Sequence, residues 1–428
     1  MKIAILGYGL EGQAALAYWS DGNDITICDQ NPDLPLPDGV AGQLGEHYLS
    51  GLERFDLVVR SPQIHPKFLT AITADQITSN VNEFIRVSPS RNIIGVTGTK
   101  GKGTTSTLIA DMLRAAGKTV HLGGNIGVSA LDMLKADIQN DDYVVLELSN
   151  FQLIDVKQSP HIAVCLMVVP EHLDWHTDFD EYVTAKQQLF AHQSADDVAV
   201  YYPNNENTCR IANASPGQRL PYCQAPGARV ENKSIVIDDA NICHIDELKL
   251  LGEHNWQNVC AAVTAVWQIT QDTGAIKSVL TSFSGLPYRL ELVHEVADVR
   301  YYNDSFGTTP ETAIVALQAF PQPKIAILGG SNKGASYDEL ARAVVANNVR
   351  AVILIGNDQA VAIKSELHAV GFQNVIDGGD SMSAVVHAAS AAAEPGDVVI
   401  LSAACASFDI FRDYKDRGAQ FNAAVLAL

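Results

Sequence analysis

Residues 95–105 read GVTGTKGKGTT, and these residue types suit the holding of phosphate. Glycines at Gly98, Gly101 and Gly103 let backbone N–H groups close on phosphate oxygens with no Cβ in the way, and a helix starting there aims its partial positive end at the same spot. Lys102 supplies a formal charge to the outer phosphates, and Thr104 or Thr105 offers a hydroxyl to a magnesium ion. Thr99 and Lys100 complete the loop. The spacing departs from the standard phosphate loop: counted back from Gly101-Lys102, the first glycine belongs at Val96 and stands instead at Gly95. An ordinary strand-to-helix turn would use the same glycines, so the loop needs partners before it reads as a nucleotide site.

Partners exist elsewhere in the chain. Glu147 closes an apolar run that continues Leu148-Ser149-Asn150, and Glu171-His172-Leu173-Asp174-Trp175-His176 follows another. In a parallel sheet those strand ends share one edge with the phosphate loop, where Glu147 and His172 would converge on an ion held by Thr104. Capping of the next helix is the plainer reading of any one of them, and three such ends weigh against it. Nearer the N-terminus, Gly7-Tyr8-Gly9-Leu10-Glu11-Gly12 follows a strand-like run and Asp29 ends the next. Alone this dinucleotide fingerprint argues for NAD, although the same turn accepts any diphosphate at a helix N-terminus. Lys186, in a helix expected over 178–192, reads from composition as an ordinary solvated lysine.

Alternating elements must position these groups. Strands are expected at 2–6, 24–28 and 57–60, the last stopping at Ser61-Pro62; then at 93–97, 119–122, 143–148, 162–169 and 198–202; then at 299–302, 324–328, 351–355 and 398–401. Helices of the last segment are expected at 309–319, 336–347, 358–370, 381–392 and 409–425. Short patches between 203 and 250 predict a small antiparallel insertion, and His254 and Asn258 near the start of an alanine-rich helix read as caps. The fold class is therefore α/β in three domains, 1–88, 89–285 and 286–428: a Rossmann-like N-terminal domain, a central P-loop-type domain with a mostly parallel sheet, and a C-terminal Rossmann-like domain.

Composition narrows the class. With 428 residues, 47% hydrophobic content and a formal charge of −20, the chain suits a soluble globular protein and not a dedicated nucleic-acid binder, which needs excess Lys and Arg to displace counterions. No apolar run reaches the ~20 residues of a membrane span, and the start MKIAILGYG carries no signal-peptide cleavage pattern. Seven scattered cysteines with no CxxC pair read as buried thiols in a reducing cytoplasm. Expected are a cytoplasmic location, a monomer, and no nucleic-acid or membrane partner.

As an ordered set, GVTGTKGKGTT, GGNIG (123–127), LELSNFQL (146–153), EHLDWH (171–176), GEHNWQN (252–258), LPYRLE (286–291), NDS (303–305), LGGSNKG (328–334) and SAACASFDIF (402–411) resemble the Mur ligases. These are ATP-dependent amide-forming enzymes of peptidoglycan synthesis, and the likeness spans essentially the whole chain. The resemblance implies that Gly98, Thr99, Lys100, Gly101, Lys102, Gly103, Thr104 and Thr105 hold ATP with Asn258, Arg289 and Asp304. It implies magnesium at Thr104, Glu147 and His172, with Lys186 as the lysine that the family carbamylates. Gly9, Leu10, Glu11, Asp29, Ser61, Asn125 and His172 would hold UDP-N-acetylmuramoyl-L-alanine, turning the fingerprint into a UDP-sugar site. Thr308, Lys333, Ser407 and Phe408 would hold glutamate.

The implied reaction is attack of the alanyl carboxylate on the γ-phosphate of ATP, giving an acyl phosphate that the glutamate amine then opens, with domain closure excluding water. Lys102, Glu147, His172 and Lys186 would be its catalytic groups. Lys100 and Gly103 depart from the common family pattern, and Phe306 stands where many glutamate-adding members carry a lysine. D-glutamate is the expected substrate. The alternatives are an L-glutamate-adding relative, a folylpolyglutamate-type ligase, which lacks the N-terminal UDP-type domain, and a non-catalytic nucleotide-binding regulator.

Overall fold

The computed structural model describes residues 1–250, 253–331, 335–356, 358–407 and 410–428. Two compact units divide the chain, Met1–Lys249 with Glu253–Phe283, and Ser284–Leu428.

The first unit contains two parallel sheets. Strands β1 (Lys2–Leu6), β2 (Asp24–Asp29), β3 (Ala41–Leu44), β4 (Leu57–Arg60) and β5 (Ile77–Thr78) lie in the order β3-β2-β1-β4-β5, and helices α1 (Leu10–Trp19) and α2 (Asn80–Val87) belong to this segment. This is the strand order of a dinucleotide-binding half, with the ends of β1, β2 and β4 on one edge. Strands β6 (Ile93–Thr97), β7 (Val120–Gly124), β8 (Tyr143–Glu147), β9 (Ile162–Cys165), β10 (Val198–Tyr201) and β11 (Gln218–Pro221) form the second sheet in the order β11-β10-β9-β6-β8-β7. Its helices are α3 (Lys102–Ala115), α4 (Asn150–Leu153), α5 (Phe179–Ala191), α6 (Glu206–Ala212), α7 (Glu253–Trp267) and α8 (Thr273–Ser282). Because β6 is central, it is covered on both faces and buried at every position, which is why it reads as an unbroken apolar run. Alternation sorts β1 between two cores: Ile3 and Ile5 join a cluster that includes Ile93 and Val144 of the second sheet and Leu189 of α5, while Ala4 and Leu6 face Phe55 and Leu69.

In the second unit, β15 to β20 are described after a small antiparallel sheet of β12 (Arg229–Glu231), β13 (Ser234–Ile237) and β14 (Ala240–His244), the expected insertion, which belongs to the first unit. The second unit's sheet runs β15 (Glu291–Val296), β16 (Val299–Asn303), β20 (Val398–Leu401), β17 (Lys324–Leu328), β18 (Val349–Leu354), β19 (Val375–Asp377), parallel except for the β15–β16 hairpin. Ile325 and Ile327 pack on one face and Ala326 and Leu328 on the other, so apolar layers cover both sides of the sheet.

Several expectations are corrected. The edge strands β3, β5, β11, β15 and β19 were not expected, since a short half-exposed edge needs no apolar run. β9 ends at Cys165 and not at 169, because its neighbour β6 turns at Thr97 into the phosphate loop and the next residues bond that loop, Thr99 N–H to the Met167 carbonyl at 3.0 Å. Residues 206–212 are helical and β11 pairs parallel with β10, so the antiparallel insertion starts later than 203. The last helix starts at Tyr414 and not at 409, with Asp413 accepting the Asp416 N–H at its cap. Among the described residues no helix is long and apolar enough to cross a membrane.

One buried cation ties the two sheets of the first unit. The Arg60 side chain, at the end of β4, pairs with Asp155 through Nε at 2.6 Å and Nη2 at 2.7 Å and donates to the carbonyls of Ile64 (2.8 Å) and Phe151 (2.9 Å). Arg60→Met leaves the Asp155 carboxylate without its partner and is expected to cost about 3–5 kcal/mol of stability. Urea unfolding of the two proteins measures it, and a loss below about 1 kcal/mol would show that the pair is not desolvated as described.

Candidate active site

The phosphate loop leaves the centre of the second sheet between the ends of β8 and β9. Gly98 (φ 144°) and Gly101 (φ 83°) adopt backbone conformations that side chains resist, and a Cβ on Gly101 would overlap the Asn258 amide. Asn258 therefore lies against the loop from the second turn of α7, which makes it no cap. His254 is a position whose side chain lies outside the described residues. Lys102 folds back on the loop, its Nζ donating to the carbonyls of Gly98 (3.2 Å) and Thr99 (3.1 Å). Thr105 and Ser106 are fully buried, leaving half-buried Thr104 as the hydroxyl of that run with access to solvent.

Lys186 overturns its composition-based reading. It is 0% exposed, donates from Nζ to the Gly98 carbonyl at 2.9 Å, and lies 4.4 Å over the Tyr182 ring. Burial, and then the charge of Lys102, lower its pKa well below the usual lysine value. Tyr182 stands one helical turn earlier on the same face of α5 and bonds Thr99 Oγ1 at 2.9 Å, so the helix holds the loop at two points. Tyr182 was not singled out from the sequence, although the i, i+4 spacing to Lys186 was there to read.

Glu147, at the end of β8, is 3% exposed. Its Oε1 accepts from Asn125 Nδ2 at 2.7 Å, and its buried Oε2 has no hydrogen-bond partner. A buried carboxylate oxygen left free beside a phosphate-type loop is chemically suited to a hard divalent cation, so these residues fit magnesium. His172 lies on the loop after β9 with φ 57°, its ring 4.8 Å from Phe151 and half-desolvated, which lowers its pKa. Lys100 pairs with Glu171 at the surface.

Toward the first sheet, a cavity of about 650 Å³ opens between the strand ends of both sheets. Gly9, Leu10, Glu11, Asp29, Ser61 and Asn125 all line it; His172 is not among its lining residues. Gly12 is required here, because a Cβ would strike the Gly7 carbonyl. Asp29 accepts the Tyr8 N–H at 2.8 Å, and Glu11 accepts from Gln152 (3.1 Å) and Ser129 (3.2 Å), its pKa raised by burial.

The second unit has its own polar cluster. Asp304 follows β16, accepting Ser402 Oγ at 2.7 Å and the Leu290 N–H at 3.2 Å, and burial pushes it up to about 6. The Arg289 guanidinium stacks on Phe306 at 3.7 Å, which brings a cation to that position even though the residue is apolar. Arg417, unexpected from the sequence and fully buried, bonds Ser305 O at 2.8 Å and Cys405 O at 3.0 Å, fixing the 305 and 405 loops together. Ser407 is buried and Thr308 half-buried. Lys333 and Phe408 lie outside the described residues.

Residues 96–266 match the Mur ligase middle domain and 288–405 the Mur ligase glutamate ligase domain. The chain is 34% identical to the UDP-N-acetylmuramoylalanine–D-glutamate ligase of Clostridium tetani over 99% of this chain and 96% of that one. It is 36% identical to the enzyme of the same name from Symbiobacterium thermophilum over 100% and 98%. In fold it is similar to a MurF ligase of Thermotoga maritima solved with ADP, with TM-score 0.60, 18% identity, and 99% and 94% of the two chains covered.

Two outcomes test the site. Burial holds the Lys186 pKa below its unfolded value, so in the window between the two the unfolded chain binds the extra proton, and stability rises with pH until the unfolded lysine itself deprotonates at about 10.4. Lys186→Met should therefore stabilise the protein near pH 7, with the gain shrinking toward about pH 10 in urea titrations in carbonate-free buffer. Thr104→Ala should lower turnover by about 10²-fold while Thr105→Val leaves it within a few-fold, and equal losses in steady-state assays would show that the ion is placed on the wrong hydroxyl.

Proposed function

The chain belongs to the Mur ligase family, and on that premise we propose that it joins D-glutamate to UDP-N-acetylmuramoyl-L-alanine with hydrolysis of ATP to ADP and phosphate. The observation that carries the reading is the convergence on one carbonyl: Lys102 and the buried Lys186 both donate to Gly98 O in the phosphate loop. Full-length similarity to ligases named for D-glutamate supports the choice of amino acid. The three segments 1–88, 89–285 and 286–428 are proposed to serve the UDP-substrate, ATP and glutamate in turn.

In this reading the cavity lined by Ser61 and Asn125 seats the UDP-sugar with its alanyl carboxylate toward the β8 and β9 ends. Gly98 to Thr105 cradle the phosphates, and Lys102 releases the Gly98 and Thr99 carbonyls to reach them, neutralising charge as the carboxylate attacks the γ-phosphorus. Asn258 holds the loop from beneath, and Arg289 and Asp304 bind the rest of the nucleotide. The glutamate amine, held by Thr308, Lys333, Ser407 and Phe408, attacks the acyl carbon, and phosphate leaves. Magnesium, held by Thr104, Glu147 and His172, would supply charge stabilisation for the phosphates. The neutral Lys186 amine is the form that adds carbon dioxide, losing a proton to give a carbamate that would complete this anionic set. The protein is proposed to act in the cytoplasm as a monomer.

A phosphate-release assay with UDP-N-acetylmuramoyl-L-alanine, ATP, magnesium and either glutamate enantiomer tests the reading. Release should require D-glutamate and rise on adding bicarbonate. Phe306 favours one competing outcome: release with L- and not D-glutamate would move the protein to an L-specific ligase. No release with either would leave a nucleotide-binding regulator.

A further inference from the structure

A second cluster of ionisable groups lies beside the site, outside the residues assigned above. Glu181 Oε2, in the first turn of α5, accepts three hydrogen bonds: Thr177 N–H at 2.8 Å, His176 Nδ1 at 3.1 Å and His65 Nε2 at 3.1 Å. Both imidazoles are buried. The far nitrogen of each ring fixes its tautomer. His65 Nδ1 accepts the Lys67 N–H at 3.0 Å, so the proton sits on Nε2; His176 Nε2 faces Asn150 Nδ2 at 2.8 Å and accepts, so the proton sits on Nδ1. Two neutral histidines thus donate to one carboxylate oxygen. Burial alone would raise the Glu181 carboxyl, yet these donors hold it down to about 2.

The three ligand atoms lie within 4.8 Å of one another, close enough to suggest a metal site. Tautomer chemistry argues against one. A metal would need lone pairs on His65 Nε2 and His176 Nδ1, which forces the protons onto nitrogens that already accept, and strands the Lys67 and Asn150 N–H donors.

What the node does mechanically follows from where its members sit. Glu181 and His176 bracket the loop that carries His172, and the His172 carbonyl accepts the His176 N–H at 3.0 Å. His65 continues the 61–64 wall of the substrate cavity, which Trp175 also grips, donating from Nε1 to the Gln63 carbonyl at 3.0 Å with its ring 4.3 Å from His65. We propose that Glu181 is a positioning residue: it clamps the His172 loop to the cavity wall, so that one carboxylate sets both the seat of the UDP-substrate and the placement of the metal-side histidine. This rests on the ligase reading.

Glu181→Gln keeps the size of the side chain but replaces an acceptor of three donors with an amide that also donates. It is expected to lower kcat by about 10–100-fold, to raise the magnesium concentration for half-activation and the KM for UDP-substrate, and to leave the KM for ATP unchanged. Glu181→Asp should restore part of the loss. Ring-nitrogen NMR of histidine should find His65 locked as the Nε2–H tautomer and His176 as Nδ1–H in the native protein, and both averaging in Glu181→Gln. If Glu181→Gln does not fold, His65→Gln, which keeps one N–H donor, takes its place with the same readouts. A folded variant with native kcat, KM and magnesium dependence overturns the proposal, as does tight zinc binding by the native protein that His65→Gln abolishes. Locked tautomers in a native protein that makes no amide count for the node and against the ligase reading.

Discussion

An amine buried without a carboxylate is the constraint on which the central region depends. Lys186 reaches the Gly98 carbonyl from α5, Lys102 reaches it from α3, and Tyr182 covers the amine with its ring. Desolvation makes charge on Lys186 expensive, so the fold pushes its pKa down and favours the neutral amine. That state is of little use for packing, since a leucine would fill the space without the cost of burying nitrogen. Its presence marks the place where chemistry and not stability has chosen the residue.

Around that amine the sheet supplies position and the loops supply polarity. The strand order puts β8 and β9 on either side of β6, so the ends that carry Glu147, the phosphate loop and the His172 loop are neighbours at one edge. A parallel sheet covered on both faces leaves its carboxyl edge as the place where polar groups can face a ligand. Glu147 shows the consequence: one oxygen is satisfied by Asn125 and the other is left free.

The first unit adds a second layer of control through a buried cation and two partly buried carboxylates. Arg60 fixes the carbonyls of the 61–64 turn and holds Asp155 across the two sheets, and Glu181 fixes His65 a few residues further on. Buried ionic groups are weak contributors to net stability once desolvation is counted, but their directional bonds specify one arrangement of a loop. Here that loop is the wall of the cavity lined by Ser61. Arg417 plays the same part in the second unit, where it holds the turn after β16 to the segment at 405.

The sequence by itself determined the parts that depend on local pattern. The central strands 2–6, 57–60, 93–97, 324–328 and 398–401 were readable to the residue, because a strand buried on both faces is a near-continuous apolar run bounded by polar residues. The glycines of both phosphate-type loops were readable for a related reason, since backbone that approaches a ligand or another chain segment admits no Cβ. The edge strands β3 and β19 were not readable, because half-exposed pairing imposes no pattern. Only the tertiary structure decided the burial and partners of Lys186, Arg60, Glu181 and Asn258; roles for Lys186 and Asn258 came from the family resemblance and not from local pattern. A lysine on a helix, an arginine at a strand end and an asparagine near a helix start look solvated or capping until packing removes water from them. Desolvation is a property of the surrounding fold, and so the same residue types that sequence assigns to the surface become the groups that hold and tune the site.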